Sequence, residues 1–157
     1  MSGEWDEVVL RPARTEDFEF LRRLHRECFK TYVEQTWGNW DEADQLQRLR
    51  RARWLSGDII VFQGRPIGLM AIEDQGAVLF LELIALLPEY QDKGLGTRLI
   101  QQVLAKGDAR AVPVQLSVLK VNPARSLYEQ LGFRLVGEDE QRWYMERTAR
   151  GSADQLS

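Results

Sequence analysis

The sequence predicts a single mixed α/β domain of the α+β type, and three observations carry that reading. At 157 residues, with 44% apolar and 10% aromatic residues, the chain can bury one real core and is too short for two comfortable domains. Apolar residues recur at strand and helix periods in alternation along the chain. Gln63-Gly64-Arg65 and Asp74-Gln75-Gly76 separate three strand-like runs and suit antiparallel hairpins. Neither an internal repeat nor a low-complexity segment interrupts the pattern, so residues 1–148 are read as the domain and residues 149–157 as a small, polar, loose tail.

The elements follow in order. Val8 to Arg11 is a first strand ended by Pro12. Thr15 can cap a helix with Asp17 in its first turn, where a carboxylate suits the helix dipole. Phe18, Leu21, His25, Cys28 and Tyr32, spaced by three and four, lie on one side of it. Tyr32 to Asp44 reads as an aromatic and acidic connector around Gly38, and a second helix runs from Asp41 or Glu42 to about Leu55. Asp58–Phe62, Pro66–Glu73 and Ala77–Leu87 are strands, Gly94–Lys106 is a helix that Gly107 can end, and Val114–Val118 is a strand. Pro123–Leu131 is a helix with Pro in its first turn. Phe133–Val136 and Arg142–Glu146 form a closing pair, with Gly137 opening the turn between them.

Charge and composition exclude several functions. A net charge of -3 and a pI of about 5.3 leave the chain without the positive field that draws a protein to nucleic acid or anionic lipid. The basic run Arg48, Arg50, Arg51 and Arg53 follows Asp41, Glu42 and Asp44, the pattern of a solvated helix face. One cysteine, Cys28, cannot form an internal disulfide, and with one histidine there is no Cys/His zinc cluster; no metal is expected. Without an apolar leader or a run of about 18 apolar residues, the expectation is a cytoplasmic protein with no membrane partner.

The chemistry concentrates at "LLPEYQDKGLGTRLI", Leu86 to Ile100, where a strand gives way to a helix. Helix N-terminal amides are unpaired and partly positive, and glycines let a bulky anion approach the chain. A P-loop is excluded because Thr97 and Arg98 follow Gly96, and a dinucleotide fingerprint because Leu99 stands where its third glycine belongs. What remains, Gln91-x-x-Gly94-x-Gly96, fits a phosphate cradle and a tight turn equally.

Its neighbours decide between the two. From Phe80 to Met145 the chain resembles the GNAT superfamily of acyl-CoA-dependent N-acyltransferases. "LELIALLPEYQDKGLGTRLI" is similar to the family's central strand and pyrophosphate motif, and "NPARSLYEQLGF", Asn122 to Phe133, to its second CoA-side motif. The first 60 residues match only in layout. The resemblance implies a mostly antiparallel mixed sheet, flanked by helices, with a splayed parallel pair of central strands ending near Leu87 and Val118. It implies acetyl-CoA as co-substrate: Ile84, Ala85 and Leu86 would offer main-chain contacts to pantetheine. Gln91, Asp92, Lys93, Gly94, Leu95, Gly96 and Thr97 would surround the diphosphate, with Arg98 adding charge. Asn122 would bond pantetheine or cap its helix, and Arg125 would meet the CoA phosphates or only water. A homodimer is allowed through the strand at Arg142–Glu146, by resemblance to dimeric family members.

Acyl transfer to an amine needs a neutral amine, a place for the oxyanion and a proton for the thiolate. Glu82 stands in the apolar run Leu79–Ile84, a costly place for a carboxylate unless it is paired, protonated or on an exposed strand face. It matches the position where several family members, spermidine/spermine N-acetyltransferases among them, place a catalytic carboxylate, which implies a general base acting directly or through water. Tyr128, six residues after Asn122, matches the family tyrosine that protonates the departing thiolate; otherwise it is a core aromatic beside Leu131 and Phe133. His25 and Cys28 share an apolar stripe and are read as structural, which favours direct transfer over an acyl-enzyme.

For the acceptor, Tyr32, Trp37 and Trp40, with Glu34, Asp41, Glu42 and Glu82, combine aromatic faces with carboxylates and suit a cationic small-molecule or peptide amine; packing of the connector explains the same residues. Two readings stand: an acetyl-CoA-dependent N-acetyltransferase, and a catalytically silent acyl-CoA-binding or regulatory module that would not need Glu82 and Tyr128.

Overall fold

A computed structural model describes residues 4–51 and 56–150. In chain order it contains β1 (Val8–Pro12), α1 (Phe18–Trp37), α2 (Glu42–Arg51), β2 (Asp58–Phe62), β3 (Arg65–Asp74), β4 (Leu79–Leu86), α3 (Leu95–Arg110), β5 (Val114–Leu119), α4 (Arg125–Gln130), β6 (Arg134–Glu138) and β7 (Arg142–Arg147). Short 3-10 turns cover Glu4–Glu7, Thr15–Asp17 and Pro88–Tyr90. The strands form one sheet of order β1-β2-β3-β4-β5-β7-β6. The pairs β1–β2, β2–β3, β5–β7 and β6–β7 are antiparallel, and β4–β5 is parallel through Leu79↔Val114 and Phe80↔Gln115. This is the mixed, mostly antiparallel sheet that the motifs imply. Among the described residues no helix is long and apolar enough to cross a membrane, and no cluster of three metal-ligating side chains forms.

Contacts group the chain into two compact units. In the first, Met1–Ala71 with Leu83–Gly96, Leu21 and Leu24 of α1 pack with Ile59, Leu69, Ala85 and Leu87. Two glycine positions are set by backbone geometry there. Gln63 and Gly64 both have positive φ, 52° and 78°, the primed turn that a two-residue hairpin requires. Gly68 has no room for a side chain, because a Cβ would run into the carbonyl oxygen of Ala85. In the second unit, Ile72–Glu82 with Thr97–Ser157, the buried residues include Leu99, Ile100 and Val103 of α3, Val114 and Leu116 of β5, and Met145 of β7.

Several boundaries differ from the sequence reading. The first helix does not stop near Tyr32: Val33 continues its buried stripe and Gly38, at φ 92°, ends it by bonding Glu34 O at 2.8 Å. Tyr32 and Trp37 are therefore helical, and the connector shrinks to residues 38–41. Thr15 is not the cap; Asp17 takes the Arg14 N–H at 2.8 Å. Residues 52–55, the expected end of the second helix, lie outside the described residues. Helix α3 runs through Gly107, where a Cβ would lie 2.9 Å from Val112 O and 3.1 Å from Val114 Cγ2, so close packing explains that glycine. Gly137 sits inside β6 at an irregularity of register, and Asp139, accepting from the Gln141 and Arg142 amides, shapes the turn. Strand β7 pairs with β5 on one side and β6 on the other within the chain. In the tail, the Arg150 amide bonds Asp108 at 2.7 Å, and residues 151–157 lie outside the described part.

Two ion pairs carry much of the polar burden. Arg11 binds both oxygens of Asp17 at 2.8 Å, and the Asp17 side chain is 9% exposed. In the second unit Arg147, itself buried, binds Asp108 at 2.6 Å. The Arg11 hydrogen bonds, opposed by burial and helped by the Arg14 amide, hold Asp17 below the usual carboxylate range. A carboxylate with a lowered folded pKa stabilises the fold above its unfolded pKa, and that stability is lost as pH falls through the folded value. Asp17→Asn should therefore cost about 3 kcal/mol at neutral pH. In urea titrations from pH 7 to pH 2, the gap between variant and parent should close toward the acid end; a gap independent of pH would remove the ionic role.

Candidate functional site

The end of β4 and the loop after it are tied down by contacts distant in sequence. Leu86 O accepts from Cys28 Sγ at 3.1 Å and from Gln91 Nε2 at 2.8 Å. Further along, the indole N–H of Trp5 donates to Lys93 O at 3.1 Å. Trp5 packs edge-on against Phe62 at 5.2 Å, and Phe62 against Tyr90 at 6.2 Å, so aromatic rings floor the loop from Pro88 to Gly94. Sequence reasoning gave Trp5, Phe62 and Tyr90 no role. The one available signal was a large aromatic residue isolated in the polar stretch Ser2 to Glu7.

Gln91, Asp92, Lys93 and Gly94 are exposed, Leu95 is buried, and Gly96, Thr97 and Arg98 are half-buried. Asp92 and Gly94 have positive φ, 60° and 85°, which turns the chain sharply into α3. The first amides of a helix lack internal partners and carry partial positive charge. Helices α1 and α2 place carboxylates in their first turns, Glu19 in one and Glu42 and Asp44 in the other; α3 places none. A Cβ on Gly96 would meet only Leu86 Cδ1, at 3.9 Å, and one on Gly94 nothing within 4 Å. The fold itself does not need Gly96, so an open, uncompensated helix N-terminus faces whatever approaches it.

Strand β4 runs unbroken from Leu79 to Leu86. Leu83 and Ala85 pack with the α1 cluster. Glu82 and Ile84 are half-buried; Ala85 and Leu86 are buried.

In the second unit, Asn122 Oδ1 accepts the Ala124 amide at 2.9 Å, the helix-initiating role expected of it. Arg125, expected to meet the CoA phosphates or only water, lies over Trp143 at 4.3 Å and binds Glu129 at 3.1 Å. Tyr128 is half-buried and packs edge-on against Phe133 at 5.8 Å. Burial is what pushes its phenol above the ordinary tyrosine value.

Cys28 and His25 behave as structural residues. Burial first, then the charge of Glu27, pushes the Cys28 thiol up to about 11, so it is protonated at neutral pH. His25, lowered chiefly by burial, bonds Gln45 at 3.0 Å and stacks near Trp40 at 5.2 Å. Trp40 is thus turned inward, whereas Trp37 is 52% exposed and Tyr32 is half-buried.

Residues 18–133 match the model of the acetyltransferase (GNAT) family. The chain belongs to this family. Similar solved structures include the PaiA N-acetyltransferase of Thermoplasma acidophilum in complex with coenzyme A, 19% identical, with a TM-score of 0.65 over 94% of this chain and 99% of that one. Another is the ribosomal-protein-S18-alanine N-acetyltransferase of Escherichia coli, 19% identical, with a TM-score of 0.64 over 90% and 93%. A third is Arabidopsis thaliana Naa50 in complex with the bisubstrate analogue CoA-Ac-MVNAL, 15% identical, with a TM-score of 0.62 over 90% and 99%. At these identities the likeness is one of fold. No curated protein matches the chain by sequence.

Gly96 allows the helix terminus to be tested apart from the fold. A carboxylate in the first turn of α3 suits the dipole, so Gly96→Glu should leave the melting temperature unchanged or slightly raised. The same charge opposes a diphosphate, and calorimetry with coenzyme A should show binding weakened about tenfold or more. Undiminished binding would move the anion site elsewhere.

Proposed function

We propose that this GNAT acetyltransferase moves the acetyl group of acetyl-CoA directly to a primary amine, with Glu82 as general base and Tyr128 as general acid. The observation that carries the reading is Tyr128: a half-buried phenol, its pKa raised by burial, within the stretch that matches the family model. The amine nitrogen attacks the thioester carbonyl and loses a proton to Glu82, directly or through water. The C–S bond then breaks, and the Tyr128 hydroxyl gives its proton to the sulfur. A phenol is a weak acid beside a thiol of pKa about 8.5 in water, but a site that excludes water raises the cost of both anions alike. Cys28, a neutral thiol at physiological pH, supports transfer without an acyl-enzyme.

On the donor side, the amides and open glycines from Gln91 to Thr97 take the diphosphate, and β4 offers main-chain groups to pantetheine. Leu86 O already accepts two hydrogen bonds, so pantetheine would have to displace one of them there. For the acceptor, the carbonyl end of α1 supports an ammonium group: its last turn holds no basic residue, and Glu34 and Trp37, three residues apart, share an exposed face. Trp40 is assigned to packing rather than to the acceptor, because it lies against His25.

Thiol release from acetyl-CoA against a panel of small-molecule and peptide amines tests the reading. Binding of acetyl-CoA without turnover on any amine would instead support a silent acyl-CoA-binding module. Tyr128→Phe should lower kcat about 10²-fold with the KM for acetyl-CoA little changed. Equal turnover in that variant would remove the acid role. Glu82→Gln should also lose about 10²-fold near pH 7, and the deficit should shrink as pH rises toward the acceptor's pKa, where the amine arrives neutral. A deficit independent of pH would argue against Glu82 as the base.

A further inference from the structure

We infer that Trp5 is a positioning residue of the acetyl-CoA site, acting through the Lys93–Gly94 peptide plane. Trp5 lies before residues 18–133, the part that matches the family model, and 88 residues from Lys93 in sequence. It is 8% exposed, and its indole N–H ends on Lys93 O at 3.1 Å. The chain has no cis peptide bonds among the described residues, so the Lys93 carbonyl and the Gly94 N–H point in opposite directions across one rigid plane. Holding the carbonyl on the indole therefore fixes the amide on the other side of that plane.

This control matters because the backbone on either side of that plane is permissive. Asp92 and Gly94, on either side of Lys93, both occupy the left-handed region, where neighbouring conformations are close in energy for glycine, and residues 91–94 are exposed. The Lys93 carbonyl is reached from outside the loop, by the Trp5 indole. The Gln91 side chain reaches back to Leu86 and secures the start of the loop, while the indole secures its end. With the ring set against Phe62, the donor is held by packing as well as by its hydrogen bond.

The inference rests on the reading of this loop as the diphosphate site, and the experiment separates the two. Trp5→Phe keeps a ring against Phe62 and removes only the N–H. Calorimetry with coenzyme A should show affinity lowered about three- to tenfold, the range expected for losing one neutral hydrogen bond that pre-orders a donor. Turnover at saturating acetyl-CoA should be unchanged. With acetyl-pantetheine, which lacks the diphosphate, kcat/KM should equal that of the parent, a result that general loosening of the fold would not give. Trp5→His, which restores a ring N–H in a smaller side chain, should recover part of the affinity. Parental affinity in Trp5→Phe, or equal losses with both acyl donors, would overturn the role of Trp5. Failure of the unaltered protein to bind coenzyme A would instead sink the donor-site reading itself.

Discussion

The carbonyl oxygen of Leu86 is where the first unit is tied together. It accepts a thiol from α1 and an amide from the following loop, while the next residue, Leu87, gives its N–H to Ile67 O at 2.8 Å. A buried carbonyl with two donors has both lone pairs used, so the strand end is held by a helix, a neighbouring strand and its own loop at once. The helix that supplies the thiol is itself anchored at its start by Asp17, whose bond to Arg11 joins α1 to β1. Each link uses a polar group that would be costly to leave unpaired, so this end of β4 is held from several directions.

Periodicity made most of this legible. The apolar spacing of α1, the hairpin at Gln63-Gly64 and the strand-to-helix change near Gly94 are local patterns, and local patterns leave a record in sequence. What was missed is non-local or ambiguous. Trp5 meets Lys93 across 88 residues, and nothing near either residue announces the other. The aromatic stretch around Trp37 looked like a connector because aromatic residues are indifferent helix formers, whereas burial of Val33 carries the helix on to Gly38. Gly107 and Gly137 were read as stops, yet one answers to close packing inside a helix and the other to a strand irregularity. Glycine marks a backbone need, and sequence alone does not say which.

The loop after β4 shows how common residue types are set apart by what surrounds them. Two glycines and a helix start occur in many turns. Here the first helical turn lacks the carboxylates that α1 and α2 carry, Gly96 is unnecessary to packing, and the loop is secured from beneath through Gln91 and Trp5. A turn needed only for folding would gain from an acidic first turn and would lose nothing with alanine at Gly96. The absence of both leaves the amides of that turn without a carboxylate of its own against them. The motif's match in sequence proposes a phosphate cradle; the electrostatics around it supply the physical reason.

Glu82 is the position where sequence and structure inform each other most. In sequence it is a carboxylate in an apolar run, equally consistent with an exposed strand face. In the structure Glu82 is half-buried, as are Leu83 and Ile84 after it, while Leu79, Leu81, Ala85 and Leu86 are buried. Strict alternation would have sealed one face and opened the other. A half-buried carboxylate keeps part of its hydration, so the cost of placing it in an apolar run is smaller than the sequence alone suggests.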